Sequence, residues 1–204
     1  MSKENATAAA KQPKPPVSID PRYVGRIAGV LLGICLVVAL LLGAVNQITK
    51  PKIDAIQRAK QEAAMAQVLP ADEYVPWEGE LPARVNAIYL ANSGGTGIGW
   101  VAETSTSGSQ GIIEMMVGIG MDGKVTGISV IKHSETPNIG TKVVADQTVL
   151  DRFIGMSQEN GEITVNSGSN RFDAVSGATF SSRGVVDGVN AALGAVSGLL
   201  AEEG

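Results

Sequence analysis

The sequence predicts an α+β protein, with one N-terminal helix long enough to cross a membrane and then a body whose mostly antiparallel sheet is flanked by helices. Three observations carry this. Ile27 to Val45, "IAGVLLGICLVVALLLGAV", contains no charged or strongly polar side chain. Four strand-like runs follow between residues 85 and 133, and a hairpin turn signal joins the last two. The final segment repeats apolar residues at i, i+3, i+4 and i+7, the signature of a helix with one buried face. Strands gathered between helices with hairpin connections favour layered α+β packing.

Taken in order, residues 1–22 are polar and Pro/Lys-rich ("KQPKPPVSIDPR") and read as a disordered tail. Residues 23–46 follow as a transmembrane helix. At about 1.5 Å per residue the apolar run spans roughly 28 Å, close to a hydrocarbon core of about 30 Å. A cleaved signal peptide is the competing reading, but its apolar region is normally shorter, and no small-x-small cleavage site follows. Lys11, Lys14, Arg22 and Arg26 precede the span, and Lys50, Lys52, Arg58 and Lys60 follow it, so positive charge alone does not orient it.

Residues 47–70 read as a membrane-proximal helix, with Ile53, Ile56, Ala63 and Ala64 at roughly helical spacing and Asp54–Arg58 as an i,i+4 pair. A single domain is expected over 71–204. Its strands are "VNAIYLA" (85–91), "GIGWVAET" (97–104), "GIIEMMVGI" (111–119) and "KVTGISVIKH" (124–133), with Asp122-Gly123 turning the last pair. Asp146 should cap a helix that places Val149, Leu150, Phe153 and Ile154 on one face, and "EITVN" (162–166) adds a short strand. The last helix carries Val185, Val186, Val189, Ala192, Leu193, Val196, Leu199 and Leu200, and Ser181 or Ser182 is its expected N-cap.

Composition narrows the function. The formal charge of −4 is uneven: residues 46–204 hold eleven Lys/Arg against eighteen Asp/Glu. So acidic a body is a poor match for nucleic acid, whose phosphates demand a basic face. Cys35, the one cysteine, lies inside the apolar run, and His133 is the one histidine. This chain alone therefore excludes an intrachain disulfide, Cys/His zinc, cysteine-ligated iron–sulfur clusters and bis-His haem. No metal ligands and no catalytic acid–base or nucleophile set are expected. Redox chemistry here has to ride on an organic cofactor.

Two familiar patterns fail. "GIGMDG" (118–123) has G-x-G-x-x-G spacing, but a strand follows it where dinucleotide binding needs a helix, so it reads as a hairpin. "AVSGA" around Ser176 lacks the G-x-S-x-G elbow, and a triad would have only His133 as base. "KHSETPNIG" (132–140) is either a polar turn or a ligand-contacting loop at a strand end. "DAVSGATFSS" (173–182) sets four hydroxyls just before the last helix, with Thr179 expected two or three residues ahead of its first turn. Gly177 and Ala178 keep bulk away, and free N–H groups with the helix dipole favour a phosphate there. That dipole adds only about 0.3–1 kcal/mol, so a retained ligand needs further contacts or a covalent bond.

Asp173-Ala-Val-Ser-Gly-Ala-Thr179 resembles the D-x-x-(S/T)-G-A-(T/S) acceptor of covalent flavinylation, and "HSETPNIG" resembles the H-S-E-T-P-G-L-G segment of the same FMN-binding domain family. The resemblance runs from about residue 25 onward and is nearest to the G subunits of Rnf-type ion-translocating electron transport complexes. It implies FMN joined through its phosphate to Thr179 by a flavin transferase, with Asp173 read by that transferase. It also implies that Ser176, Gly177 and Ala178 shape the loop, and that Ser181 and Ser182 cap the helix or hold phosphate oxygens. Glu135, Thr136 and Ile139 take positions that in the family lie along the isoalloxazine ring. Asn138 replaces the usual Gly, and Asn tolerates positive φ better than most residues.

Partner subunits handling ferredoxin and NAD are implied, with a cytoplasmic N-terminus and a single pass through the bacterial inner membrane. The FMN domain is then extracytoplasmic. Two alternatives stay open: the C subunit of the sodium-pumping NADH:quinone oxidoreductase or another anchored FMN-domain protein, and a flavin-free anchored assembly module.

Overall fold

The computed structural model describes residues 21–202. The expected tail lies outside these residues except for Pro21 and Arg22, which already belong to the first helix. That helix, α1 (Pro21–Val68), is continuous where the sequence suggested two helices divided near residue 46. The boundary was placed by a polarity change, and backbone geometry does not record polarity. Pro51 lies inside α1, where it cannot donate to the Gln47 carbonyl. The chain forms two compact units, divided at Ile53/Asp54.

In the first unit the apolar side chains from Ile27 to Val45 are exposed on every face of the helix. A helix that is apolar all round and uncovered by protein is matched to lipid rather than water.

The second unit is built on a five-stranded antiparallel sheet in sequential order: β1 (Glu73–Pro76), β2 (Val85–Ser93), β3 (Thr96–Ser107), β4 (Ile112–Gly120) and β5 (Val125–Lys132). Sequence reading missed β1, a four-residue edge strand ending in proline. The hairpin at residues 121–124 forms as expected, with Gly123 at φ 71°. After β5 come α2 (Thr141–Val144), α3 (Gln147–Leu150), a 3₁₀ turn (Asp151–Phe153), the short parallel pair β6 (Thr164–Val165) and β7 (Arg171–Phe172), and α4 (Thr179–Glu202).

Asp146 does cap α3, accepting from the Thr148 N–H, but the helix stops after one turn and tightens into the 3₁₀ turn. Leu150 and Phe153 are buried as expected, whereas Ile154, expected on the same face, is exposed because the chain has left the helix there.

Alternation along the strands splits the sheet into two faces. One presents Trp100, Ala102, Ile113, Met115, Val117 and Ile119 to α4, whose Val185, Val189, Ala192 and Val196 complete the main core. The other presents Ala91, Val101 and Met116 to Ala64, Met65 and Val68 at the end of α1. There the backbones nearly touch. The Val68 carbonyl accepts from Thr126 Oγ1 at 2.7 Å, and a methyl placed on Gly118 would stand 2.6 Å from that carbonyl. Gly118→Ala should therefore lift the end of α1 off the sheet and cost about 2–4 kcal/mol, read as a lower denaturation midpoint. The glycine of the failed dinucleotide pattern serves helix-on-sheet packing.

Glu103, half-buried at the margin of this second face, accepts from Gln61 at 3.2 Å. Burial first, and Glu114 second, raise its carboxyl above the ordinary range, against the opposing hydrogen bonds from Asn86 and Gln61. The folded state then holds its proton to higher pH than the unfolded state, so stability falls as pH rises from the unfolded value near 4.5 through the raised folded value. Glu103→Gln should raise the melting temperature at pH 7 and change it little near pH 4.

Candidate functional site

The site is assembled where the N-terminus of α4 meets the loop after β5. The first turns of α4 press on the end of β3: Thr106 Oγ1 donates to the Gly184 carbonyl at 2.7 Å, and a Cβ on Gly184 would lie 2.7 Å from the Ser107 carbonyl. Upstream, Phe153 and Phe172 stack with centroids 4.2 Å apart. The Arg152 guanidinium lies 4.6 Å over Phe172 and donates to the Asp173 carbonyl at 2.8 Å. Asp173 itself is exposed and paired with Arg171 at 2.8 Å.

From there the chain makes a tight turn closed by Ala178 N–H to the Val175 carbonyl at 2.9 Å, with Ser176 and Gly177 exposed at its tip. Gly177 has φ 80°, which a type II turn requires at its third residue.

α4 starts at Thr179, earlier than the sequence suggested, so two expectations are corrected. Thr179 is the first residue of the helix rather than lying ahead of it, and neither Ser181 nor Ser182 is the N-cap. Ala178 holds that place, its carbonyl accepting the first helical bond from Ser182 N–H. Among the described residues nothing accepts from the N–H groups of Thr179, Phe180 or Ser181. An alanine cap offers these donors no side-chain oxygen, so they stay available to an anion.

Ser181 and Ser182 are fully buried and already engaged. Ser182 Oγ accepts from Val175 N–H at 3.2 Å, fastening the turn to the helix, while Ser181 donates to Glu135. Steric closure had hidden both roles from a count of hydroxyls.

Glu135 ties the two loops together. It is 5% exposed, and both carboxylate oxygens are used. One accepts from Ser109 N–H at 2.7 Å and Gln110 N–H at 3.3 Å in the turn between β3 and β4, and the other accepts from Ser181. Gly108 and Gly140 wall it in, since a Cβ on either would collide with the carboxylate. Ser109 and Gln110 could not be found in the sequence because they act through backbone amides. In the same loop Asn138 has φ 61°, the conformation expected of it, and its N–H donates to Thr141 Oγ1 at 2.9 Å. The half-buried Thr136 accepts through its carbonyl from Ile139 and Thr141 N–H.

Ile139 and Phe180 stay exposed, 52% and 70%, and Phe180 directly follows the half-buried Thr179 in the chain. A cleft of about 350 Å³ lies elsewhere, lined by Ile119, Leu193, Val196 and Leu200 together with polar residues that include Asp122 and Glu159. Leu200 is about 30 Å along α4 from Thr179.

Residues 108–194 match the family model described as the FMN-binding domain, and residues 24–68 match the RnfG N-terminal region. The chain is 32% identical to the G subunit of the ion-translocating oxidoreductase complex of Methanosarcina acetivorans, over 91% of this chain and 99% of that protein. It is 33% identical to the G subunit of the Na+-translocating ferredoxin:NAD+ oxidoreductase complex of Acetobacterium woodii, over 87% and 93%. Among solved structures it is similar to the C subunit of the Na+-translocating NADH-quinone reductase of Parabacteroides distasonis (TM-score 0.45, 22% identity, 55% of this chain and 59% of that one).

The match of residues 108–194 to the FMN-binding domain, behind a helix matched to lipid, defines the class: an FMN-binding-domain protein with a membrane anchor. Within that class the chain belongs to the G-subunit family of Rnf-type ion-translocating oxidoreductase complexes.

Proposed function

We propose that this chain is the electron-transfer subunit of an Rnf-type complex and that it carries FMN as a phosphoester on Thr179. One observation carries the reading: the acceptor oxygen of the D-x-x-S-G-A-T match belongs to the first residue of α4, beside three N–H groups with no acceptor among the described residues. The residues suit the group. The free amides and the dipole favour the phosphodiester charge, Gly177 and Ala178 leave room for it, and Ile139 and Phe180 offer apolar surface to a ring. Asp173, held outward between Arg152 and Arg171, is presented for reading by a flavin transferase.

FMN, when bound, supplies the redox chemistry, and the chain supplies position and electrostatics. Glu135 acts in this reading by fixing the two loops, since its buried carboxylate has no oxygen to spare for a ring. Ferredoxin and NAD, which the name of the Acetobacterium woodii relative carries, are handled in this reading by other subunits of the complex. The N-terminus then lies in the cytoplasm and the FMN domain on the opposite side of the membrane. Intact-mass measurement of the mature full-length chain tests the core claim. A gain equal to FMN less water, mapped to the peptide holding Thr179, is expected. An unmodified mature chain would leave the flavin-free anchored module as the better account.

A further inference from the structure

We propose that Arg183 is the counter-charge of the phosphodiester at Thr179, an inference that rests on the flavinylation reading above. Arg183 is four residues after Thr179 in α4 and therefore on the same face, one turn above it. Helical side chains lean toward the N-terminus, and this one does: its guanidinium lies 5.9 Å from the Phe180 ring centroid. The side chain is exposed, and among the described residues no carboxylate lies within ion-pair distance of it.

That is a poor place for a lone cation. Arg183 is rooted in the second turn, but its guanidinium leans back over Phe180 in the first, where the positive end of the dipole and the three open N–H groups disfavour added positive charge. A local conflict of this kind marks a functional position when a missing partner resolves it. A phosphodiester on Thr179 resolves it, because the anion then sits between the helix terminus and the guanidinium. Arg donates through a planar fork matched to phosphate oxygens, and its rest position on Phe180 keeps it close to where they would be. Phe180, exposed at 70%, is the surface on which the cation waits before the flavin is attached.

The test uses the full-length chain, coexpressed with a flavin transferase and purified in detergent. Arg183→Gln and Arg183→Lys are compared in the natural background and in Thr179→Ala. At low salt, Arg183→Gln should lower the melting temperature of the flavin-loaded chain by about 1–3 °C, as an exposed ion pair would. In Thr179→Ala the same change should leave it unchanged or slightly raised, since a misplaced cation has been removed. Arg183→Lys should fall between, the loaded-chain loss should fade in about 1 M salt, and the phosphorus-31 resonance should move in Arg183→Gln.

Equal temperature shifts in both backgrounds, with an unmoved resonance, would overturn the proposal while the flavin reading stands. If Arg183→Gln takes no flavin and Arg183→Lys does, positive charge is required at attachment, in support. If neither takes it, the guanidinium is read by the transferase, and the pairing is overturned. A natural chain with no phosphorus signal at all would instead sink the flavin reading itself.

Discussion

Thr179→Ala should abolish covalent flavin completely, leaving a dark band on a denaturing gel under ultraviolet light, while Thr179→Ser keeps the band fluorescent. A phosphoester needs the oxygen, and alanine supplies none. Serine supplies it on the same Cβ, in the same first position of α4. The fold should survive both changes, because Thr179 is only half-buried and stands at the surface end of its helix. Circular dichroism would then match the natural chain, so a lost label would report chemistry rather than unfolding. A Thr179→Ala chain that still glows would move the ester to another hydroxyl, with exposed Ser176 a near neighbour in sequence.

Glu135→Ala should cost the domain about 2–4 kcal/mol and lower flavin loading with it. The change removes one acceptor and strands three donors: Ser109 N–H, Gln110 N–H and the Ser181 hydroxyl. Of the three only the Ser181 hydroxyl lies fully inside, where a group left unsatisfied costs roughly 1–3 kcal/mol, while Ser109 and Gln110 are exposed and water can replace part of what their amides lose. Glu135→Gln should be milder, near 1 kcal/mol, because its oxygen can keep the two amides while its NH₂ donates to a rotated Ser181 hydroxyl. Urea titration gives the stability, and intact mass gives the loading. Equal stability of Glu135→Ala and the natural chain would show that the loops are not held together through this carboxylate.

Much of the fold was open to sequence reading because its signals are local. Nineteen residues without charge announce a membrane helix, Asp122-Gly123 announces a hairpin, and the spacing from Val185 to Leu200 announces α4. The short elements were less legible. β1 and β7 pair through backbone groups that any side chain can carry, and α3 ends after one turn although the apolar spacing continues to Ile154. Gly118 illustrates the limit. Its motif spacing suggested a phosphate loop, its strand context suggested a hairpin, and the reason for a glycine there is the Val68 carbonyl, fifty residues away in the chain.

By itself the sequence determined the membrane helix, the order of the main strands and the acceptor-like segment that ends in Thr179, since periodicity and motif spacing are properties of neighbouring residues. The tertiary structure alone decided which hydroxyls remain free. Ser181 and Ser182 look identical to Ser176 in a string of letters, but packing buries them against Glu135 and the Val175 amide and leaves Ser176 in solvent. It also decided that Glu135 is a fastening between loops. A buried carboxylate is set by the donors that surround it, and here they come from a turn twenty-five residues before it and a helix forty-six residues after it.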